Sequence, residues 1–136
     1  VARALPVLTG EQLMRVSRTT VRQTYEPGAM IFRQGSACKD FYVVASGKVE
    51  IVLQRENASD VVVAQLGPGQ YFGEMQLLYG RGRSASVRAS EFAPAEVYSV
   101  DFQTLSEILG ESESLRESMT QTADERMAQN RTMLGD

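Results

Sequence analysis

Residues 72–89 contain the side chains of this sequence that are best suited to bind a small anion carrying a sugar hydroxyl. Glu74 lies at the start of a predicted short helix, directly after Gly73, whose lack of a side chain lets the backbone approach a ligand. Free N–H groups at a helix start attract anions, and Arg83, nine positions later, can bind two phosphate oxygens at once. Ser84 adds a hydroxyl and another N–H group. An ionised Glu74 only accepts hydrogen bonds, so it suits the sugar hydroxyl rather than the phosphate.

Each of these residues has a simpler interpretation when it is considered alone. Gly73 would be a turn, Glu74 a solvated carboxylate at a helix start, and Arg83 a surface residue or half of a weak ion pair. Arg81 and Arg88 are interpreted in that way. The combination of Gly73, Glu74 and Arg83 at this spacing, after a run of predicted β-strands, favours a binding site.

The composition excludes several classes of function. The 136 residues fit one domain with its own hydrophobic core. Histidine is absent, so a histidine metal site or a Ser–His–Asp triad cannot form, and we expect neither an enzyme nor a cofactor. The net charge of −3 gives no reason to expect nucleic acid or an anionic membrane as a partner. The single cysteine, Cys38, fits a reducing compartment, so we expect a cytoplasmic protein or the cytoplasmic part of a membrane protein. The start at Val1 suggests a fragment of a longer chain.

An N-terminal helix precedes the rest of the predicted fold. Thr9 and Gln12 form a capping box in front of a helix that should run from Gly10 to about Arg18. The apolar residues that this helix should bury are Leu13, Met14 and Val16.

Short apolar runs separated by turns follow, as is typical of a β-barrel or sandwich. The sequences at residues 26–28 and 67–69 each contain Pro-Gly, which predicts a type II turn. The predicted strands are Val21–Tyr25, Ala29–Phe32, Phe41–Ala45, Val49–Gln54, Val61–Leu66, Gln70–Phe72, Ala85–Ala89 and Glu96–Val100. In the fourth strand, Val52 breaks an otherwise regular alternation of apolar and polar residues. The repeated turns and the absence of a βαβ pattern favour a jelly-roll-like barrel.

The last third of the chain is predicted to be helical. Asp101 should cap a helix through about Leu109, Gly110 should break it, and Ser114 with Glu117 should form the capping box of a second helix. Apolar residues four positions apart form one face of that second helix, namely Leu115, Met119, Ala123 and Met127. This face would pack on the barrel or on another subunit, and a homo-oligomer stays open.

Residues 72–89 resemble the phosphate-binding cassette of cyclic nucleotide-binding domains, such as those of the regulatory subunit of cAMP-dependent protein kinase, catabolite activator protein and cyclic-nucleotide-gated channels. The family pattern is Phe-Gly-Glu, a few apolar residues and a short loop, then Arg, a small residue, Ala, a small residue and Val. Here the segment reads FGEMQLLYGRGRSASV, with Gly82 where kinase members often carry proline. The resemblance extends to both Pro-Gly turns and to the strand at residues 41–44, and it covers nearly the whole chain.

This resemblance implies a single cyclic nucleotide-binding domain over residues 1–136. Its fold would be mainly β with flanking helices, a jelly-roll-like β-barrel (a double-stranded β-helix) with a short cassette helix. Residues 1–19 would form the N-terminal helical segment, residues 20–100 the barrel with the cassette at 72–89, and residues 101–136 the C-terminal lid helices.

The resemblance also implies roles for individual residues. Glu74 would accept a hydrogen bond from the ribose 2′-hydroxyl, and Arg83 would pair with the cyclic phosphate. Backbone N–H groups of Gly73, Ala85 and Ser84 would complete the phosphate site. The implied apolar walls for the base or sugar are Val61, Val63, Met75 and Leu77. The implied lid contact is Met127, Asn130 or Arg131.

The implied function is the sensing of cAMP or cGMP, with cAMP favoured. A bound nucleotide would draw the first C-terminal helix toward the cassette and the last helix over the base, with Gly110 as the hinge. This movement would control an attached effector such as a channel, a transporter or a transcription regulator. Two alternatives stay open: a barrel without ligand that acts as a structural or interaction module, and the sensor half of a transcription regulator without its DNA-binding part. We expect this segment neither to bind nucleic acid nor to insert into a membrane.

Overall fold

Two four-stranded antiparallel sheets pack face to face, with helices on one side. The computed structural model describes residues 8–36, 40–79 and 85–133, apart from the side chains of residues 75, 76 and 130–133. The strands are β1 (Val21–Tyr25), β2 (Met30–Phe32), β3 (Asp40–Ser46), β4 (Val49–Leu53), β5 (Val61–Leu66), β6 (Tyr71–Phe72), β7 (Ser86–Ala89) and β8 (Ala95–Asp101). The helices are α1 (Gly10–Thr19), α2 (Glu74–Tyr79), α3 (Phe102–Glu111) and α4 (Glu113–Met133).

The strand order is that of a jelly roll. One sheet has the order β1-β8-β3-β6 and the other has the order β2-β7-β4-β5. The chain therefore pairs from its ends inward: β1 with β8, β2 with β7, β3 with β6, and β4 with β5. The predicted mainly β, jelly-roll-like barrel with flanking helices is confirmed, and each strand lies within one residue of its predicted bounds.

Both Pro-Gly turns form as predicted. Gly28 and Gly69 have φ angles of 77° and 86°, which a residue with a side chain rarely adopts. The N–H of Ala29 donates to the carbonyl of Glu26 over 3.0 Å, and the N–H of Gln70 donates to the carbonyl of Gly67 over 3.1 Å. These turns connect strands of opposite sheets and so set where the chain crosses the barrel.

Strand β3 is buried on both faces, which explains its continuous apolar sequence. Tyr42 and Val44 join the core between the two sheets. Phe41 and Val43 join a second core between the first sheet and the helices. The helical side of that second core consists mainly of Val16, Leu105, Ile108, Leu109, Leu115 and Met119. The helices are therefore held against the sheet by burial of apolar surface.

The α1 capping box is confirmed, but one predicted core residue of this helix is exposed. The side chain of Thr9 accepts from the N–H of Gln12, and the side chain of Gln12 accepts from the N–H of Thr9. Val16 is buried and Leu13 is half-buried, whereas Met14 is 59% exposed. The prediction for Met14 was wrong. Only a narrow face of α1 packs toward α3, and this face includes Gln12 rather than Met14.

The joint between the last two helices is at Ser112, and two predictions about it were wrong. Gly110 continues α3, which ends at Glu111, so Gly110 is not the break. Ser112 has an extended backbone, with φ −129° and ψ 104°. Its hydroxyl accepts from the N–H of Leu115 over 3.2 Å, so Ser112 caps α4 in place of Ser114.

The apolar face of α4 packs on its own barrel. Leu115, Met119 and Ala123 are fully buried, and Met127 is half-buried. The side of the helix away from the barrel is polar and exposed. Within residues 8–36, 40–79 and 85–133, no helix has the length and apolar character that crossing a bilayer requires.

A polar network ties α1 to the end of α3, and we expect this tie to weaken at low pH. Arg15 Nη1 donates to both carboxylate oxygens of Glu111 over 2.8 Å, and Gln12 Nε2 donates to one of them over 3.3 Å. The hydrogen bond from Arg15, followed by that from Gln12, lowers the pKa of Glu111 below its ordinary value of 4.5. The stability from a lowered carboxyl pKa is present above the ordinary value and is lost as pH falls through the lowered one.

We therefore expect Glu111→Gln to lower the melting temperature slightly at pH 7, and we expect this difference to shrink as the pH falls from 7 toward 3. Thermal denaturation of both proteins across this range measures the difference at each pH. High salt should also shrink the difference at pH 7, because the pair is exposed. A difference that stays constant from pH 7 to pH 3 would contradict a role for the ionised pair.

Candidate functional site

A cavity of about 530 Å³ opens where the free edges of the two sheets meet α4. Its size is within the range of small-molecule sites. Residues of β5, the start of α2, β7 and one side of α4 line it. The lining includes Val63, Glu74, Ala85, Thr122, Arg126 and Gln129.

Glu74 is the first residue of α2, and its side chain is enclosed by the protein. The preceding residue, Gly73, has a φ of 91°, a left-handed conformation that glycine adopts without strain. This conformation turns the chain sharply from β6 into α2. Glu74 is only 2% exposed, and a carboxylate so buried requires hydrogen-bonding partners.

Arg126 of α4 is the partner of Glu74. Its Nη1 donates to Glu74 Oε1 over 2.7 Å, and its Nη2 donates to the backbone carbonyl of Tyr71, also over 2.7 Å. The guanidinium carbon lies 5.2 Å from the centre of the Tyr71 ring, in cation–π contact. Arg126 therefore connects α4 to the start of α2 and to β6. Since a carboxylate accepts up to about four hydrogen bonds, Glu74 can still accept one from a ligand hydroxyl.

Tyr71, beneath the guanidinium, has its ring packed in the helical core. Burial raises the pKa of Tyr71, and its hydrogen bond with Thr122 of α4 opposes this effect. The hydroxyl is therefore neutral at physiological pH, and Tyr71 contacts α4 through both its ring and its backbone.

A β-bulge on β5 provides another attachment point for α4. Ile51 of β4 pairs with Ala64 and the next residue, Val52, pairs with Val62, so Val63 has no opposite residue on β4. Gln129 Nε2 donates to the carbonyl of Val63 over 3.0 Å. Bulges of this kind are common beside functional sites because they redirect individual groups.

The structure brings four of the sequence-predicted site residues together around this cavity. Gly73, Glu74, Val63 and Ala85 all line it. Arg83 and Ser84 lie outside the described residues, as do the side chains of Met75, Asn130 and Arg131. The backbone of the last two belongs to α4. Their proposed contacts with a ligand stay predictions.

Two predicted walls are not among the described lining residues, and their contacts with a ligand stay predictions. Val61, the first residue of β5, packs against Leu53, Val63 and Ala85, of which the last two line the cavity. Leu77 packs against the helical core. Met127, a candidate lid contact, is half-buried and is not part of the described lining.

Sequence reasoning missed the residues with which α4 contacts the site. Thr122, Glu125, Arg126 and Gln129 all line the cavity. A signal was present, because Arg126 follows the buried Ala123 by three positions and so lies on the same side of the helix.

Comparison with known proteins identifies the class of protein that this fold and cavity define. Residues 22–112 match the family model described as "Cyclic nucleotide-binding domain". Because the match spans more than half of the sequence, the chain belongs to the cyclic nucleotide-binding domain family.

The chain is similar to regulatory proteins from distant organisms. It is 36% identical over 86 residues to a cAMP-dependent protein kinase type II regulatory subunit of Drosophila melanogaster, which is 63% of this chain and 22% of that protein. It is 44% identical over 70 residues to a cyclic AMP receptor protein of Thermus thermophilus, which is 52% of this chain and 32% of that protein. The chain thus spans a third or less of these relatives.

A solved structure has the same fold. The regulatory domain of Toxoplasma gondii PKA, crystallised with cAMP, superposes with a TM-score of 0.80 at 23% identity. The match covers 90% of this chain and 45% of that one, and it supports the fold assignment.

Proposed function

We propose that this domain binds a cyclic nucleotide, cAMP in preference to cGMP, in the cavity under α4 and transmits occupancy to an attached effector. A cyclic nucleotide-binding domain is a regulatory module rather than a catalytic one. The observation that carries the proposal is the buried Glu74, which lines the cavity at the start of α2 and is paired with Arg126 of α4. A ligand that bonds to Glu74 would contact the cassette and the lid at the same point.

Glu74 is the proposed acceptor for the ribose 2′-hydroxyl, and Arg83 is the proposed partner of the cyclic phosphate. Among the described lining residues, Arg126 is the cationic side chain, and Glu74 already pairs with it. The phosphate therefore needs another cation, and Arg83 precedes the lining residue Ala85 by two positions. Backbone N–H groups of Gly73, Ser84 and Ala85 would complete the phosphate site.

The remaining predicted contacts belong to the base. Val63 is a wall of the cavity, and Met75, Asn130 and Arg131 are candidates for further contacts. The preference for cAMP is supported by the two relatives above, both of which are named for cAMP. Ser84 is compatible with either nucleotide, because a hydroxyl at this position could also contact a guanine amino group.

The proposed output is a change in the position of α4. Its contacts with Glu74, Tyr71 and Val63 define the closed arrangement, and the Ser112 joint allows α4 to turn relative to α3. A nucleotide can shift this equilibrium only by binding one arrangement more tightly than the other. We propose a single domain over the chain, a cytoplasmic location, and an effector of the channel, transporter or transcription-regulator type.

Replacing Glu74 with glutamine should remove most of the discrimination between ribose and 2′-deoxyribose. The amide keeps one oxygen but accepts a weaker hydrogen bond, so binding of cAMP should weaken by about 1–2 kcal/mol. Titration of cAMP and 2′-deoxy-cAMP into both proteins gives the two affinity ratios. Glu125→Gln is the matched control, because Glu125 is another lining carboxylate. If the variant still distinguished the two sugars as the wild type does, Glu74 would not be the ribose contact.

Calorimetry and thermal denaturation with cAMP, cGMP and 5′-AMP test the proposed function directly. A ligand at a hundred times its Kd stabilises the folded state by about 2.7 kcal/mol, so a bound nucleotide raises the melting temperature with concentration. We expect the largest rise with cAMP, a smaller one with cGMP and none with 5′-AMP. The absence of heat and of any rise at millimolar cAMP and cGMP would refute the proposal.

A further inference from the structure

The cassette helix α2 is attached to α4 at both of its ends. At its start, Glu74 bonds to Arg126. At its end, the hydroxyl of Tyr79 donates to Asp124 Oδ1 over 2.8 Å. The second contact is on the surface, since Tyr79 is 41% exposed and Asp124 is exposed. Neither residue lines the cavity.

The two contacts lie on opposite flanks of α4. Successive residues of an α-helix are about 100° apart around its axis, so Asp124 and Arg126 lie about 100° and 300° from Ala123. Ala123 is fully buried and faces the barrel. The two residues of α4 that bond to α2 therefore lie on either side of the buried face of α4. The buried apolar face and the Gln129–Val63 hydrogen bond already hold α4 on the barrel, and contacts with α2 on both flanks add resistance to rolling and lifting.

We propose that the Tyr79–Asp124 hydrogen bond is a positioning contact that opposes the opening of α4 and thereby sets how long a cyclic nucleotide stays in the cavity. This inference rests on the proposed function of the same site. Because neither side chain lines the cavity, the effect acts through the position of α4.

The chemistry of the pair suits a persistent contact. The acceptor is a carboxylate, and hydrogen bonds to charged groups are stronger than neutral ones. The hydrogen bond to Asp124, followed by burial, raises the pKa of Tyr79, so its hydroxyl remains a donor at neutral pH. Tyr79 ends the same helix that Glu74 begins, so the contact ties α4 to the helix that carries the proposed ribose contact.

Removal of this contact should change the rate of nucleotide release more than the affinity. A bound nucleotide leaves after α4 opens, and opening breaks the hydrogen bond. Entry also requires the open arrangement, so the association rate rises as well and offsets part of the change in Kd. We expect Tyr79→Phe and Asp124→Ala each to raise the dissociation rate about three- to tenfold, the range for one surface hydrogen bond.

The test is a stopped-flow chase of base-labelled fluorescent cAMP with excess cAMP from the 136-residue chain. The double variant Tyr79→Phe/Asp124→Ala should release as fast as either single variant, and Asp124→Asn, which keeps an acceptor, should restore most of the slow release. Tyr25→Phe is the matched control, because it removes a tyrosine hydroxyl that bonds within β1. The affinity ratio of cAMP to 2′-deoxy-cAMP should stay that of the wild type.

A release rate for Tyr79→Phe equal to that of the wild type would overturn the inference, as would a changed ribose ratio, which would indicate action inside the cavity. Amide hydrogen exchange without nucleotide tests the contact separately. The α4 amides at residues 122–129 should exchange about three- to tenfold faster in Tyr79→Phe. Failure of the wild type to bind nucleotide would refute the proposed function, whereas unchanged exchange in the variant would refute the tether.

Discussion

Replacing Arg83 with alanine should weaken cyclic nucleotide binding by about 2–5 kcal/mol, or from about 30-fold to several thousandfold in Kd. The loss is this large because the cyclic phosphate would remain in the cavity without its cationic partner. Isothermal titration of cAMP measures the effect. Arg83→Lys should restore part of the affinity, since an ammonium keeps the charge but cannot bind two phosphate oxygens in one plane.

The matched control for Arg83 is Arg88→Ala. Arg88 lies on β7 and its Nε donates to Glu50 Oε1 of β4 over 3.0 Å, outside the cavity lining. Its loss should leave the affinity for cAMP unchanged. Arg83→Ala should melt close to the wild type without nucleotide, which separates lost binding from lost folding. Arg88→Ala should melt lower, because Glu50 loses its partner in a partly buried ion pair, but it should keep its affinity for cAMP. If Arg83→Ala bound cAMP as tightly as the wild type, the phosphate would lie elsewhere.

Replacing Arg126 with methionine should destabilise the folded protein by about 2–4 kcal/mol, because it leaves Glu74 as a buried carboxylate without its partner. The side chain of Glu74 is 3% exposed and that of Arg126 is 23% exposed, so partial solvation keeps the effect below that of a fully enclosed pair. Methionine retains much of the apolar stem that packs near Tyr71. The midpoint of urea denaturation, at constant m-value, measures the change.

A second variant isolates the charge from the packing. Glu74→Gln/Arg126→Met removes both charged groups, so most of the stability that the single variant lost should return. We expect the double variant to have a higher midpoint of urea denaturation than Arg126→Met. If the single variant unfolded at the same urea concentration as the wild type, the Glu74–Arg126 pair would not hold α4 on the barrel.

Local signals in the sequence predicted most of the fold. The capping box of Thr9, the two Pro-Gly turns and the alternating strands each depend on residues close together in the chain, and the structure has them all. The errors came where two local signals competed. Ser114 had the pattern of a cap, but Ser112 begins α4 because α3 continues through Gly110. A glycine near a helix end does not terminate the helix when the neighbouring residues are held by packing.

The candidate site likewise combines residues that the sequence predicts with residues that only the tertiary structure brings together. The cassette is predicted from the sequence by itself, because Gly73, Glu74 and Arg83 lie close together in the chain and their chemistry and spacing are visible without coordinates. The structure places Gly73 and Glu74 at the cavity, and the role of Arg83 stays a prediction. The tertiary structure alone decided which residues face that cassette. Arg126 meets Glu74 across 52 positions of sequence, and Gln129 meets Val63 across 66. These pairs depend on how far α4 lies along the barrel and how it is rotated about its axis. Burial of Leu115, Met119 and Ala123 against the sheet sets that position, and no short-range pattern records it.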